Sequence, residues 1–302
     1  MKTPDRAAYR PHQGLVAPAR LHPELWRLPV GLGLVAAVTI GLSSLINSAV
    51  KDIAPAFFRA EMANPSSIGN TPGSMLILMG SFVVVTLGVM AAARIMQKRT
   101  LRSIIGPMPL MIVQFWRVSR YLALLGAALF VLLLFGLDEP PVQNMPFGTW
   151  LALLPLSMSV VLIQTSSEEI LFRGYIQQTL AARFSNPLIW MVLPSALFAL
   201  GHYAPAEAGE NAVLIAVWAG VFGVLTADLT ARSGTLGPAI AMHLFNNFTA
   251  LLLMAMPETL NGLALYLSPF SMSDPAQLRP WLMVDFAMMG VSWLAARLAL
   301  AR

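Results

Sequence analysis

Eight long apolar runs constrain what this chain can become. They lie at about 29–50, 74–96, 120–137, 149–171, 187–204, 211–231, 236–256 and 281–299. Each supplies roughly the 17–25 apolar residues that a helix needs to cross a bilayer core. In lipid no water satisfies backbone N–H and C=O groups, so spanning segments are helices or closed barrels. These runs far exceed the ~9–11 residues of a barrel strand. The sequence therefore predicts an all-α fold, a polytopic transmembrane helix bundle of about eight spans. Of the 302 residues, 57% are hydrophobic and 11% charged. A soluble domain carries about 25% charge.

The basic residues set an expected orientation. With the N-terminus in the cytoplasm and the runs alternating, sixteen of the 19 Lys and Arg fall inside, and Lys51, Arg59 and Arg279 outside. That bias follows the positive-inside rule and predicts cytoplasmic N- and C-termini. The net charge of +5 is then a topology signal, and no nucleic-acid partner is expected. The absence of Cys excludes disulfides, a thiol nucleophile and thiolate zinc sites. The first run starts near Val30 and is a full span long, so a cleavable signal peptide is not expected. Membrane lipids are the expected surroundings, in a bacterial inner (plasma) membrane.

Three polar clusters interrupt the apolar runs. Glu168, Glu169 and Arg173 follow the fourth run, Phe198 and His202 end the fifth, and His243, Asn246 and Asn247 lie inside the seventh. An ionisable group at the bilayer centre costs about 3 kcal/mol on insertion scales, so such groups usually have a use. Acid, imidazole and amide together are the parts of a hydrolase.

Each cluster also has a structural reading. On a helix, Glu169 and Arg173 are i and i+4 in the favourable acid-first order. Glu168 points about 100° away and stays free to act as a base. The run Ser166-Ser167-Glu168-Glu169 also fits a capping box at a new helix start. His202 stands one turn after Phe198, where it serves equally as an interfacial residue. His243 and Asn247 share one helix face, and such residues often hydrogen-bond between membrane helices.

Spacing joins the first two clusters. Glu168 lies about 17 residues before the turn Phe184-Ser185-Asn186-Pro187, and His202 about 17 after it. At ~1.5 Å per residue both sit ~25 Å from the turn, at one level. His243 is ~10 Å from its own helix start. The depths agree if the hairpin projects beyond the membrane or if the turn before the seventh run is recessed.

The patterns Glu-Glu-x-x-x-Arg, Phe-x-x-x-His and His-x-x-x-Asn, in this order, resemble the signature of the CAAX-protease and bacteriocin-processing family. That intramembrane protease family, also called Abi, includes the type II CAAX prenyl endopeptidases. The resemblance covers about 150–255. It implies that Glu168 and His202 activate a water and that His243 and Asn247 stabilise the oxyanion. Glu169, Arg173 and Phe198 would support them. The expected substrate is a membrane-associated protein or peptide.

The resulting layout has a basic cytoplasmic tail at 1–28 and N-terminal membrane helices at 29–146. A protease core at 147–256 and a loop with a last helix at 257–302 follow. The segment 98–120, broken by Pro107 and Pro109, reads as interfacial. Asp228 and Asp285 also read as interfacial. No cofactor is expected. Two His and a Glu can bind zinc, but there is no His-Glu-x-x-His and no thiolate, so no metal ligand is assigned. Two alternatives remain at this stage. One is a non-enzymatic immunity or scaffold protein binding a peptide in the same polar cavity. The other is a transporter with a proton relay, for which paired broken repeats are lacking.

Overall fold

The computed structural model describes residues 5–133 and 141–301. The chain opens with short helices α1 (Asp5–Ala8) and α2 (His12–Val16). There follow α3 (Arg27–Ile53), α4 (Pro55–Ala63), α5 (Pro72–Ser81) and α6 (Val83–Gln97). Next come α7 (Leu101–Ile105), α8 (Met108–Leu133), α9 (Phe147–Glu169) and α10 (Gln177–Arg183). The last are α11 (Pro187–Gly201), α12 (Pro205–Ala208), α13 (Ala212–Ser233), α14 (Gly237–Asn247) and α15 (Pro275–Leu300).

Local signals explain several helix starts. Thr71, Asn186 and Asp274 each cap a helix whose first residue is Pro, and their side chains accept from the N–H groups of Ser74, Leu188 and Ala276. Such caps satisfy donors that the first turn leaves without partners, and proline at N1 loses no bond. The capping box at Ser166 does not form. The helix runs on through Glu169 into a π-helical stretch, Ile170–Ile176, and then α10. The whole piece, Phe147–Arg183, is 37 residues long. That is ~55 Å, well beyond a ~30 Å hydrocarbon core.

Among the described residues, five helices are long and apolar enough to cross a membrane. They are Arg27–Ile53, Pro72–Gln97, Phe147–Arg183, Pro205–Ser233 and Pro275–Leu300. The expected eight spans are not confirmed among the described residues. The fifth run forms only the 15-residue α11, ~22 Å long. The seventh gives eleven α-helical residues and six π-helical ones before a strand begins. Both are apolar enough to be read as spans, but both are short. The third run lies on α8 as far as Leu133, and its last residues, 134–137, are outside the described residues.

The segment 98–120 is shared between α7 and α8. From Met108 it belongs to α8, a 26-residue helix. Pro109 falls in the first turn, where a missing N–H costs nothing.

The N-terminal segment is folded rather than loose. Leu15, Val16 and Ala19 are fully buried, and so is His12. Tyr9 Oη donates to Asp228 Oδ1 at 2.8 Å, and Arg99 Nη2 donates to Leu15 O at 3.4 Å. Asp228 is not interfacial but buried, held also by Arg232 at 2.8 Å and Trp293 Nε1 at 3.0 Å. Polar residues of this basic tail meet polar partners on the bundle.

α14 is the central element. Its residues Gly237 to Leu244 are all buried, and it packs against α8, α9 and α13. A Cβ on Gly237 would come 2.4 Å from Met111 O, so only glycine allows this approach of α14 to α8. Leu236 N donates to Ile105 O at 3.1 Å, and Gly234 lies under Pro11. The turn before α14 is therefore recessed beneath α7 and the N-terminal segment. Glu168 and His243 then lie at one level along the 37-residue helix Phe147–Arg183. At the other end three two-residue strands close the structure: β1 (Val142–Gln143), β2 (Met254–Ala255) and β3 (Tyr266–Leu267). β3 lies between the others, antiparallel to β1 and parallel to β2.

The outer surface is apolar, with Ile40, Leu45, Leu200, Val213 and Met283 exposed. Polar side chains such as Gln97, Gln164, Glu169, Arg173, Gln177 and Asp228 are inside. A soluble protein rarely exposes so continuous an apolar surface, but in lipid it is the favourable one.

Candidate active site

α9 and α14 form a ladder. On α9, Gln164 and Glu168 are i and i+4, and on α14, His243 and Asn247 are i and i+4. The two pairs meet rung to rung. Asn247 Nδ2 donates to Gln164 Oε1 at 2.8 Å, and His243 Nε2 stands 3.6 Å from Glu168 Oε2. Rising sequence on one helix matches falling sequence on the other, so the helices are antiparallel here. The contacts are one helical turn apart.

His243 is fixed from its other side. Its Nδ1 lies 2.8 Å from Glu169 Oε1, which also accepts from Arg173 Nη1 at 3.0 Å. A carboxylate only accepts, so Nδ1 carries the proton and Nε2 faces Glu168. The expected Glu169–Arg173 pair is present, with both partners buried. Glu169 also has a task that sequence spacing did not suggest, because it anchors His243. The two acids thus grip one imidazole from both ends.

Glu168 is the open member. Its side chain is 17% exposed, and its Oε2 accepts no hydrogen bond from the described residues. The π-helical stretch begins directly after Glu169, and another, Phe248–Leu253, directly after Asn247. Such turns are rare and frequently occur at functional sites. Here one follows the adjacent acids Glu168 and Glu169, and the other follows Asn247.

Aromatic rings wall the cluster. The Phe198 centroid is 4.4 Å from the His202 ring, 6.0 Å from His243 and 5.1 Å from Phe172. The Arg173 guanidinium lies 4.9 Å from the Phe198 centroid, a cation–π contact. Phe222 closes on His243 at 5.1 Å. Phe198 therefore separates the two histidines while touching both.

His202 caps the end of α11. Its Nδ1 is 2.9 Å from Phe198 O. A carbonyl only accepts, so Nδ1 donates and Nε2 keeps its lone pair. Among the described residues no contact within 4.0 Å joins His202 to a carboxylate, and the imidazole within that reach of Glu168 is His243. Two shallow apolar grooves of about 330 and 340 Å³ run between α11 and α13 on the outer surface. None of the four candidate residues lines them.

Sequence reading had missed Gln164 and Phe222. Gln164 carried a usable signal: it is a polar residue inside an apolar run, one helical turn from an acid. Phe222 carried none, being one apolar residue among many. Among the described residues no cluster of three His, Asp or Glu is placed to hold a metal ion.

Comparison with known proteins agrees with the motifs. Residues 149–249 match the type II CAAX prenyl endopeptidase Rce1-like family. The interval contains Glu168, Glu169, Arg173, Phe198, His202, His243 and Asn247. The resemblance is therefore shown for the segment that carries the motifs. Together with the five apolar helices, it marks an integral membrane protein. "Uncharacterized protein YyaK" of Bacillus subtilis (strain 168) is 29% identical over 167 residues, 53% of this chain and 54% of that protein. The match thus spans about half the length of the curated relative. No solved structure matches the chain.

Proposed function

We propose that this chain is an intramembrane endopeptidase that cleaves membrane-associated proteins or peptides with a water activated by Glu168. The observation that carries this reading is the open Glu168 carboxylate facing a histidine whose far nitrogen is anchored by Glu169. A buried acid with a free oxygen beside a fixed imidazole is the equipment of general acid–base catalysis.

The steps follow from the donors and acceptors. Glu168 and His202 Nε2 both accept, so both hold a water by its protons. Glu168 takes one proton as the water oxygen attacks the scissile carbonyl carbon. The negative charge moves to the carbonyl oxygen, where His243 Nε2–H and an Asn247 Nδ2–H meet it. Such donors are worth about 3–4 kcal/mol each in other hydrolases. When the tetrahedral intermediate collapses, the C–N bond breaks. The proton that Glu168 took passes by way of His202 Nε2 to the departing amine, which restores the Glu168 carboxylate. For His243 to donate from Nε2 as well as to Glu169, its ring carries both protons.

In this reading the enzyme needs no metal or other cofactor. Glu169 Oε1 is already used twice, and a zinc held by Glu168, His202 and His243 would leave no base. The positive-inside bias of the sequence favours cytoplasmic termini, and a bacterial plasma membrane is the expected location. The test compares membranes of cells expressing the wild type and Glu168→Gln, by mass spectrometry of new peptide termini. Cleavage sites present only with the wild type are the expected result. Identical termini in both, with both proteins folded, would replace the protease by a peptide-binding scaffold.

A further inference from the structure

The upper rung of the ladder contains a residue outside the three sequence patterns. Gln164 is buried in α9, with 6% of its surface exposed, one turn before Glu168. Its Oε1 accepts from Asn247 Nδ2 at 2.8 Å, and Asn247 Oδ1 accepts from Asn246 Nδ2 at 3.2 Å. The Asn247 amide is therefore held at both ends, and its facing is determined: oxygen toward Asn246, nitrogen toward Gln164. One Nδ2 proton is used by Gln164 and the second remains available.

Gln164 has a spare group of its own. Its Nε2 donates to none of the described residues. That nitrogen is not among the buried side-chain atoms left without a partner, so it reaches open space beside the acid, where a ligand can take its protons. The buried amide sits beside the open acid, with its acceptor engaged and both of its protons unengaged.

We propose that Gln164 is a further substrate-binding residue of this site. It aims Asn247 at the reacting carbonyl, and it offers Nε2–H to a backbone carbonyl of the peptide lying along α9. The ligand chemistry is that of an extended peptide backbone, whose carbonyls follow one another at strand spacing of ~3.3 Å per residue. Glu168 and Gln164, one turn or ~5.4 Å apart, then address neighbouring positions along it. This inference rests on the proteolytic reading above.

Two substitutions separate the tasks. Gln164→Glu keeps an oxygen for Asn247 Nδ2 but replaces the free donor by an acceptor. Gln164→Met removes both at similar volume. The full chain is purified in detergent, and its apparent unfolding midpoint is measured for both variants, Asn247→Ala and the Met/Ala double variant. Turnover is followed with a fluorophore–quencher peptide spanning the strongest Glu168-dependent cleavage site. We expect Gln164→Glu to raise KM about tenfold, with kcat per folded molecule less affected. Gln164→Met should lower kcat as well, and adding Asn247→Ala to it should cost less than Asn247→Ala alone. A merely structural Gln164 would shift midpoints while leaving kcat and KM of the folded fraction at wild-type values, and that result would overturn the proposal. An active wild type with unaltered Gln164 variants defeats this inference alone. A folded wild type with no Glu168-dependent cleavage defeats the proteolytic reading and the substrate role with it. The midpoint cycle then still reports whether Gln164 and Asn247 are coupled.

Discussion

Removing Arg173 should separate folding from chemistry. The guanidinium and Glu169 are 1% and 0% exposed and lie 3.0 Å apart. Taking one partner from a buried pair costs about 3–5 kcal/mol, because the survivor stays buried and uncompensated. Arg173→Met keeps the stem that packs on Phe198 and removes the charge. Glu169 then retains one donor, His243 Nδ1. At ~2–4 °C per kcal/mol for a large domain, the apparent midpoint should fall on the order of 10 °C. Glu169→Gln should fall by a similar amount, but it also loosens the anchor of His243. Its turnover per folded molecule should drop at least tenfold, a loss of about 1.4 kcal/mol. Arg173→Met should stay within a few-fold of wild type. A Glu169→Met/Arg173→Met double variant should recover part of the lost midpoint, since removing both charges costs less than removing one. The assay is size-exclusion chromatography after heating in detergent, with turnover measured on the monodisperse fraction. Two results would refute the reasoning: a fully folded Arg173→Met protein with no turnover, or a double variant less stable than either single.

Burial beneath Trp190, with Arg20's charge adding to it, pulls the His12 imidazole from 6.5 down to about 4. The folded pKa lies below the unfolded one, so this contribution to stability is full above about pH 6.5 and is lost as pH falls toward about 4, by ~3 kcal/mol in all. Hydrogen exchange of residues 9–21 should accelerate across that window, and a His12→Phe variant should flatten the response; an unchanged profile in that variant would remove His12 as the cause. Gly237→Ala places a Cβ 2.4 Å from Met111 O. It should cost about 1–3 kcal/mol, as overpacking usually does, and a midpoint equal to wild type would show that α14 can shift freely. Elemental analysis of the purified protein should find no stoichiometric zinc; about one zinc per chain, absent in His202→Ala, would overturn the metal-free mechanism while keeping the protease.

Local relations were legible in the sequence because helix geometry alone fixes them. The Glu169–Arg173 pair and the shared face of His243 and Asn247 follow from 3.6 residues per turn. The helical class and the lipid-facing surface followed from apolar runs that only helices can satisfy in a bilayer. Relations between helices depend on rotation, depth and extent, which a one-dimensional pattern does not contain. Spacing alone placed Glu168 and His202 at one level. Packing turned α14 so that His243 reached both acids and Gln164 met Asn247. The recessed turn before α14, sealed by the N-terminal segment, made that contact possible. The same segment reads in sequence only as a basic tail because its polar partners, Asp228, Gln177 and Arg99, lie 84 or more residues away. Composition showed that this chain enters a membrane. Only the tertiary fold decided which acid meets which imidazole, because a hydrogen bond requires agreement within a few tenths of an ångström that no sequence spacing can supply.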